Sequence, residues 1–166
     1  KKSKLFQASS SELFSENKSK KINENSSFNP NSPYAIAKLS AHHYCGLYRS
    51  TYKIYAVSGI LFNHESPLRK EEFFTKKIIK NLVSYKLNKN KKKIQIGNIY
   101  SERDWGNAED FVKVIYKSLT LKKPTDFIFC TGKKRSVKNF IDNVAKTLKI
   151  KLVWIKEKNK TMAINP

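Results

Sequence analysis

Tyr34 and Lys38 stand four residues apart near the start of an expected helix, so their side chains share one face. A tyrosine phenol titrates near about 10, too high to act as a base at neutral pH. A cation within a few ångströms favours the phenolate and brings it into use. Lys38 would supply that charge, and the helix N-terminus adds a smaller push of the same sign. The chemistry such a pair performs is removal of a proton from a hydroxyl. Tyr-x-x-x-Lys is common on amphipathic helices, so the pair acquires meaning only from its surroundings.

Those surroundings are strands and helices in alternation. Lys4–Ala8 is a short apolar run that opens into Ser9, Ser10 and Ser11, as a buried strand does at its carboxyl end. Residues 15–32 are polar and end in Asn29-Pro30-Asn31-Ser32-Pro33, which is turn chemistry. Ser32 then caps a helix with Pro33 in its first turn, and Ala35, Ile36, Leu39, His43 and Leu47 recur at helical spacing. Ile54–Phe62 is a continuous apolar run suited to a central strand covered on both faces, followed by the polar loop Asn63–Pro67. Further helices are expected over 71–87, 108–119 and 136–148, with Phe74, Ile78, Leu82 and Tyr85 on one face of the first. Strands are expected over 93–96, 127–130 and 151–155. The class is α/β with a largely parallel sheet. Ligands of such sheets bind beyond the carboxyl ends of the strands, where the Ser9–Glu12 and Asn63–Ser66 clusters both fall.

The formal net charge of +21 raises a nucleic-acid reading. Only Arg49, Arg69, Arg103 and Arg135 among the 34 basic residues are arginine, whereas phosphate and base-edge readers favour its bidentate fork. The lysines are dispersed, as on solvated faces, so no nucleic-acid partner is expected. No run of about 18 apolar residues occurs, and no membrane partner is expected; the reading is a cytoplasmic protein. Cys45 and Cys130 lack metal-ligand spacing, and no metal is expected. Cys130 sits in an apolar run and is expected to be buried. The first residue is Lys1 and the one methionine is Met162, which reads as a cut N-terminus.

The small residues of Ser32-Pro33-Tyr34-Ala35-Ile36-Ala37-Lys38 and the Ser-rich strand end about two dozen residues earlier resemble the extended short-chain dehydrogenase/reductase family. The stretches QASSSELF (7–14), NPNSPYAIAKL (29–39), YAVSGILFNHESP (55–67), IQIGN (94–98), RDWGNAEDFV (103–112) and TGKKRSV (131–137) resemble, within it, the GDP-mannose 4,6-dehydratase family. The resemblance implies the C-terminal part of a Rossmann-like doubly wound parallel sheet plus part of the smaller substrate-binding domain. Residues of about 1–62 would hold the catalytic strands and the Tyr-Lys helix, and about 63–166 mainly the sugar-nucleotide part.

By the same resemblance Tyr34 takes the proton of the mannose C4 hydroxyl as C4 passes hydride to NADP⁺, and Ser10 hydrogen-bonds that oxygen. Glu12 abstracts the C5 hydrogen, water leaves from C6, and hydride returns there. The product is GDP-4-dehydro-6-deoxy-mannose. Tyr34, Lys38, His64 and Arg69 would contact the cofactor. Ser11, Asn63, Gly97, Asn98 and Arg103 would contact GDP-mannose, with Arg103 on its diphosphate. A homo-oligomer is implied for the full-length form.

Three features depart from the family pattern. Ser15 and the run Leu68-Arg69-Lys70-Glu71 replace residues that the family keeps as glycine or arginine. No Gly-x-x-Gly-x-x-Gly turn exists among Gly46, Gly59, Gly97, Gly106 and Gly132, so the βαβ half that binds the cofactor's pyrophosphate is expected to be missing. Two further readings compete: another nucleotide-sugar epimerase or dehydratase, and a non-catalytic basic remnant that binds polyanions.

Overall fold

The computed structural model describes residues 3–15, 21–88, 94–157 and 160–164. Along the chain run β1 (Leu5–Ser10), a 3₁₀ turn (Ser11–Phe14), α1 (Pro33–Tyr52), β2 (Ala56–Leu61), β3 (Asn63–Glu65), α2 (Phe74–Lys86) and β4 (Ile94–Ile96). There follow β5 (Glu102–Asn107), α3 (Ala108–Ser118), β6 (Phe127–Phe129), β7 (Lys134–Ser136), α4 (Val137–Thr147), β8 (Val153–Glu157) and β9 (Lys160–Ile164). The elements group into two compact units. Residues up to His64 together with Trp105–Gly132 form the first, and Glu65–Asp104 with Lys133 onward form the second. The division is therefore not by sequence order, because 105–132 return to the first unit.

In the first unit β2 is the central strand of a parallel sheet of order β1-β2-β6. Its continuous apolar character follows from this place, since Ala56 through Ile60 are all buried. Gly59 is required there. A Cβ at that position would lie 2.2 Å from Phe6 Cζ and 2.8 Å from Phe129 Cε2. Those two rings meet edge to face, 5.8 Å between centroids, over the gap that the glycine leaves. Leu13, Phe14 and Ile60 form the core beneath, with Phe28, Leu39 and Ile128 packed against them.

Helix α1 begins as its sequence dictates. Ser32 Oγ accepts from Ala35 N at 3.1 Å, and Pro33 occupies the first turn. The face it buries differs from the expected one. Ala35, His42 and Cys45 are buried, while Ile36 and Leu47 are more than half exposed and His43 is exposed. Periodicity of apolar residues selected the wrong stripe because two polar residues, His42 and Arg49, are admitted to the packed face by partners elsewhere in the chain. Cys130 is also corrected: β6 ends at Phe129, and the thiol lies exposed beyond it.

The second unit packs α2 and α4 through buried Ile78, Leu82, Ile141 and Ala145, with Phe74 and Phe140 6.0 Å apart. Its strands are antiparallel, in the order β4-β9-β8, and β5 pairs with β7. The largely parallel sheet expected from the sequence is thus confined to the first unit. Strands β5 and β7 were not expected at all, because ERDWGN and KRS carry no apolar alternation. The segment Asn63–Glu65, expected as loop, is the short strand β3. Lys93, the expected start of the fourth strand, lies outside the described residues.

Gly59→Ala should lower stability by about 1–3 kcal/mol, because the added methyl must separate the Phe6 and Phe129 rings. A urea midpoint equal to that of the parent chain would show that the rings give way freely.

Candidate functional site

At the carboxyl edge of the parallel sheet, β1 and β2 end side by side, with Ser10 opposite Leu61. Ser10 keeps extended backbone and turns its hydroxyl back to accept from Glu12 N at 3.2 Å, so it caps the 3₁₀ turn that follows. That turn buries Leu13 and Phe14 and leaves Glu12 exposed to solvent. Ser15 then donates its hydroxyl to Glu12, reaching the backbone oxygen at 2.6 Å and Oε2 at 3.0 Å. The backbone of Ser15 is right-handed, with φ −48°, so no glycine is required where the family pattern has one.

Helix α1 brings Tyr34 and Lys38 to this edge. Ala35, fully buried, lets the helix lie close against the sheet. Lys38 Nζ donates to Ala8 O at 2.8 Å and sits 5.6 Å from the centre of the Tyr34 ring. The cation is therefore held beside the phenol by a backbone contact to the strand that carries Ser10. Tyr34 is 56% exposed, so its hydroxyl is open to a ligand.

The far half of α1 is fastened by residues that no local pattern marks. Arg49 hydrogen-bonds Asp126 through its guanidinium and donates from Nε to Ala56 O at 2.7 Å. Asp126 Oδ1 also accepts from Ser58 N at 3.1 Å. His42 Nδ1 lies 2.7 Å from Ser58 Oγ, and its Nε2 faces Asp126 Oδ2 at 3.9 Å. The carboxylate favours a proton on Nε2, so Ser58 donates to Nδ1. Burial pulls the His42 pKa below its ordinary value of 6.5, against the opposing pull of Asp126 and with the help of His43 and Arg49. Burial is the largest single influence on Arg49 and opposes its charge, but the hydrogen bond and the negative charge of Asp126, with smaller help from Cys45, together outweigh it. Cys45, on the same buried face, has its thiol pKa pushed up by burial and is inert as a nucleophile. Asp126 is separated from these partners by 68 or more residues, which is why sequence reasoning missed it.

Asn63 and His64 continue from β2 in the same unit, both half-buried. His64 Nδ1 donates to Phe62 O at 2.9 Å, which fixes the tautomer, and its ring stacks on Phe111 with centroids 5.1 Å apart. Ser11, Ser10, Glu12, Tyr34 and Lys38 also lie in the first unit.

The remaining expected site residues lie in the second unit. Arg69 stacks on Phe73, 3.7 Å from the ring centre, and its Nε is 3.3 Å from Glu65 Oε2. That approach is within ion-pair range but poorly aimed, so the buried Nε–H makes no hydrogen bond. Gly97 is exposed, with nothing within 4 Å of a Cβ built on it. Asn98 Oδ1 accepts from Tyr100 N at 2.9 Å. Arg103 is exposed and donates to Glu102 O at 2.8 Å.

A nicotinamide cofactor fits the donors present at its ribose end only. Lys38 uses one of three N–H donors on Ala8, and two remain for a pair of ribose hydroxyls beside the exposed Tyr34. No glycine turn in the chain offers a cradle for the pyrophosphate.

A family model described as GDP-mannose 4,6 dehydratase matches residues 1–165. The GDP-mannose 4,6-dehydratase of Vibrio cholerae serotype O1 is 43% identical over 155 residues, covering 93% of this chain and 41% of that protein. The Dictyostelium discoideum enzyme of the same name is 39% identical over 160 residues, covering 96% of this chain and 45% of its own. Among solved structures, RMD from Pseudomonas aeruginosa in complex with NADPH superposes with a TM-score of 0.85 at 20% identity, covering 90% of this chain and 52% of that one. The dTDP-glucose 4,6-dehydratase of Bacillus anthracis gives 0.79 at 21%, covering 94% and 48%. At those identities the structural likeness concerns the fold. The chain spans less than half the length of these curated relatives.

Because the folded-state pKa of His42 lies below its unfolded value, stability is intact above pH 6.5 and is lost as pH falls through the folded value. Urea unfolding across that range should show the decline, and His42→Gln should flatten it. A pH-independent midpoint in the parent chain would place His42 in water instead of the Ser58–Asp126 pocket.

Proposed function

The chain belongs to the GDP-mannose 4,6-dehydratase family, and from that premise we propose that it forms the catalytic part of an enzyme converting GDP-mannose to GDP-4-dehydro-6-deoxy-mannose and water. The observation that carries this reading is Lys38 held between Ala8 O and the Tyr34 ring at the strand edge that presents Ser10 and Glu12. A bound nicotinamide, proposed to be NADP, would supply reversible hydride acceptance from the sugar. Tyr34 and Lys38 would hold its ribose, with His64 and Arg69 as further contacts.

The chain's own residues account for the proton movements. Tyr34, exposed and beside a fixed cation, is placed to take the proton of the sugar C4 hydroxyl. The Ser10 hydroxyl already accepts from Glu12 N, which leaves its own hydrogen to donate to the same sugar oxygen. Oxidation at C4 acidifies the hydrogen on C5. Glu12, exposed on the turn after Ser10, is the carboxylate available to remove it, and departure of the C6 hydroxyl as water completes the elimination. Ser11, Asn63, Gly97, Asn98 and Arg103 are proposed to hold the GDP-sugar, with Arg103 on the diphosphate.

Two properties of the whole enzyme belong to the same proposal. It is a homo-oligomer, a reading supported by the exposed Tyr44, Leu47, Tyr48 and Tyr52 along α1. It works in the cytoplasm, and no described helix is long and apolar enough to cross a membrane.

In the full-length enzyme Tyr34→Phe should reduce formation of the 4-keto sugar by about 10²–10⁴-fold, and turnover at the parent rate would end the assignment. Glu12→Gln should keep oxidation at C4 but lose exchange of the C5 hydrogen with D₂O and the release of water. Equal loss of both steps would make Glu12 a structural or binding residue.

A further inference from the structure

The antiparallel pairing of β5 with β7 sets Arg103 directly opposite Arg135. Residues that face each other across such a ladder point to the same side of it, and their neighbours in sequence point to the other. The two sides differ in charge balance. On one side lie Glu102, Asp104, Lys134 and Ser136, and Lys134 Nζ pairs with Glu102 Oε2 at 2.7 Å. The other side carries the two arginines, both exposed. Arg103 makes a single hydrogen bond, to the backbone oxygen of Glu102, and neither guanidinium pairs with a carboxylate among the described residues. Like charges set opposite each other are destabilising, and no ion pair among the described residues offsets this pair.

The backbone that holds this pair is fastened on both strands. Val137 N donates to Ser101 O and Lys138 N to Ile99 O, each at 2.9 Å, and the Ser136 hydroxyl accepts from Asn139 N at 3.1 Å as the cap of α4. The segment bearing Asn98 and Arg103 is thereby strapped to the segment bearing Arg135, with the first amides of α4 already satisfied. Two arginines at directly opposed positions of a fastened ladder can present two donor forks to one ligand. The complement is an anion of two linked phosphoryl groups, since each fork matches a phosphate bidentately.

We infer that Arg135 is a second diphosphate-binding residue, acting with Arg103 across the β5–β7 ladder on the diphosphate of a nucleoside-diphosphate sugar. The inference rests on the GDP-sugar reading above and extends it to a residue outside the set named there. It also accounts for the tolerance of an uncompensated like-charge pair: the anion that the pair binds removes the repulsion.

The test is calorimetric titration of the chain with GDP, inorganic pyrophosphate and guanosine at fixed salt. Arg135→Ala should weaken GDP and pyrophosphate by about tenfold and leave guanosine unchanged. Arg135→Lys should recover part of the loss, as a point charge without the fork. Without ligand, Arg135→Ala should melt no lower than the parent chain, because it removes repulsion and no packed contact. Parent-like affinity of Arg135→Ala for both GDP and pyrophosphate would overturn the inference while leaving the GDP-sugar reading in place. A parent chain that binds neither GDP nor pyrophosphate would overturn both. The Tyr34→Phe experiment reads the catalytic assignment separately.

Discussion

The position of helix α1 depends on an aspartate 77 residues beyond the arginine that it holds. Asp126 lies just before β6, yet its carboxylate takes the Arg49 guanidinium and the Ser58 amide, and it faces His42. This ties the helix to the central strand at its carboxyl-terminal half. At the other half Lys38 reaches the Ala8 carbonyl. A helix held at two points cannot slide or roll, and Tyr34 rides on its first turn. The proposed role of the Tyr34 phenol depends on such support, since small displacements of a reacting group cost large factors in rate.

The same network explains why the packed face of α1 is polar in part. Burying His42 or Arg49 without partners would be costly. Ser58, the Ala56 carbonyl and Asp126 satisfy them, and the charge of Arg49 survives partial burial for that reason. The apolar residues Ile36, Tyr44, Leu47, Tyr48 and Tyr52 are displaced to the outer face as a consequence. A large net positive charge, dispersed over lysines, does not disturb this arrangement, because the cations that fasten α1, Lys38 and Arg49, are fixed by specific partners.

The second unit uses charge in a different way. On one side of the β5–β7 ladder Lys134 and Glu102 offset each other. On the opposite side Arg103 and Arg135 stand at opposed positions, and neither has an ion pair among the described residues. The contrast arises from strand alternation. Gly97, by comparison, has open space around it, so any role it has concerns what approaches from outside.

By itself the sequence determined the local structure. Ser32-Pro33 starts α1, Ser136 caps α4, the apolar run over 54–62 makes a doubly covered strand, and the Tyr34–Lys38 spacing puts both residues on one helical face. It also determined the family, through short motifs whose order and spacing carry the chemistry. Each of these is encoded within a dozen residues or so, where propensity, capping and periodicity act. Tertiary structure decided which face of α1 is buried, that β5 and β7 are strands, that Cys130 is exposed, and that Arg103 meets Arg135. These outcomes depend on partners tens of residues distant, such as Asp126 for Arg49 and the 134–136 strand for 102–104. No window of sequence contains both members of such a pair, and only the folded chain brings their charges and hydrogen bonds into reach.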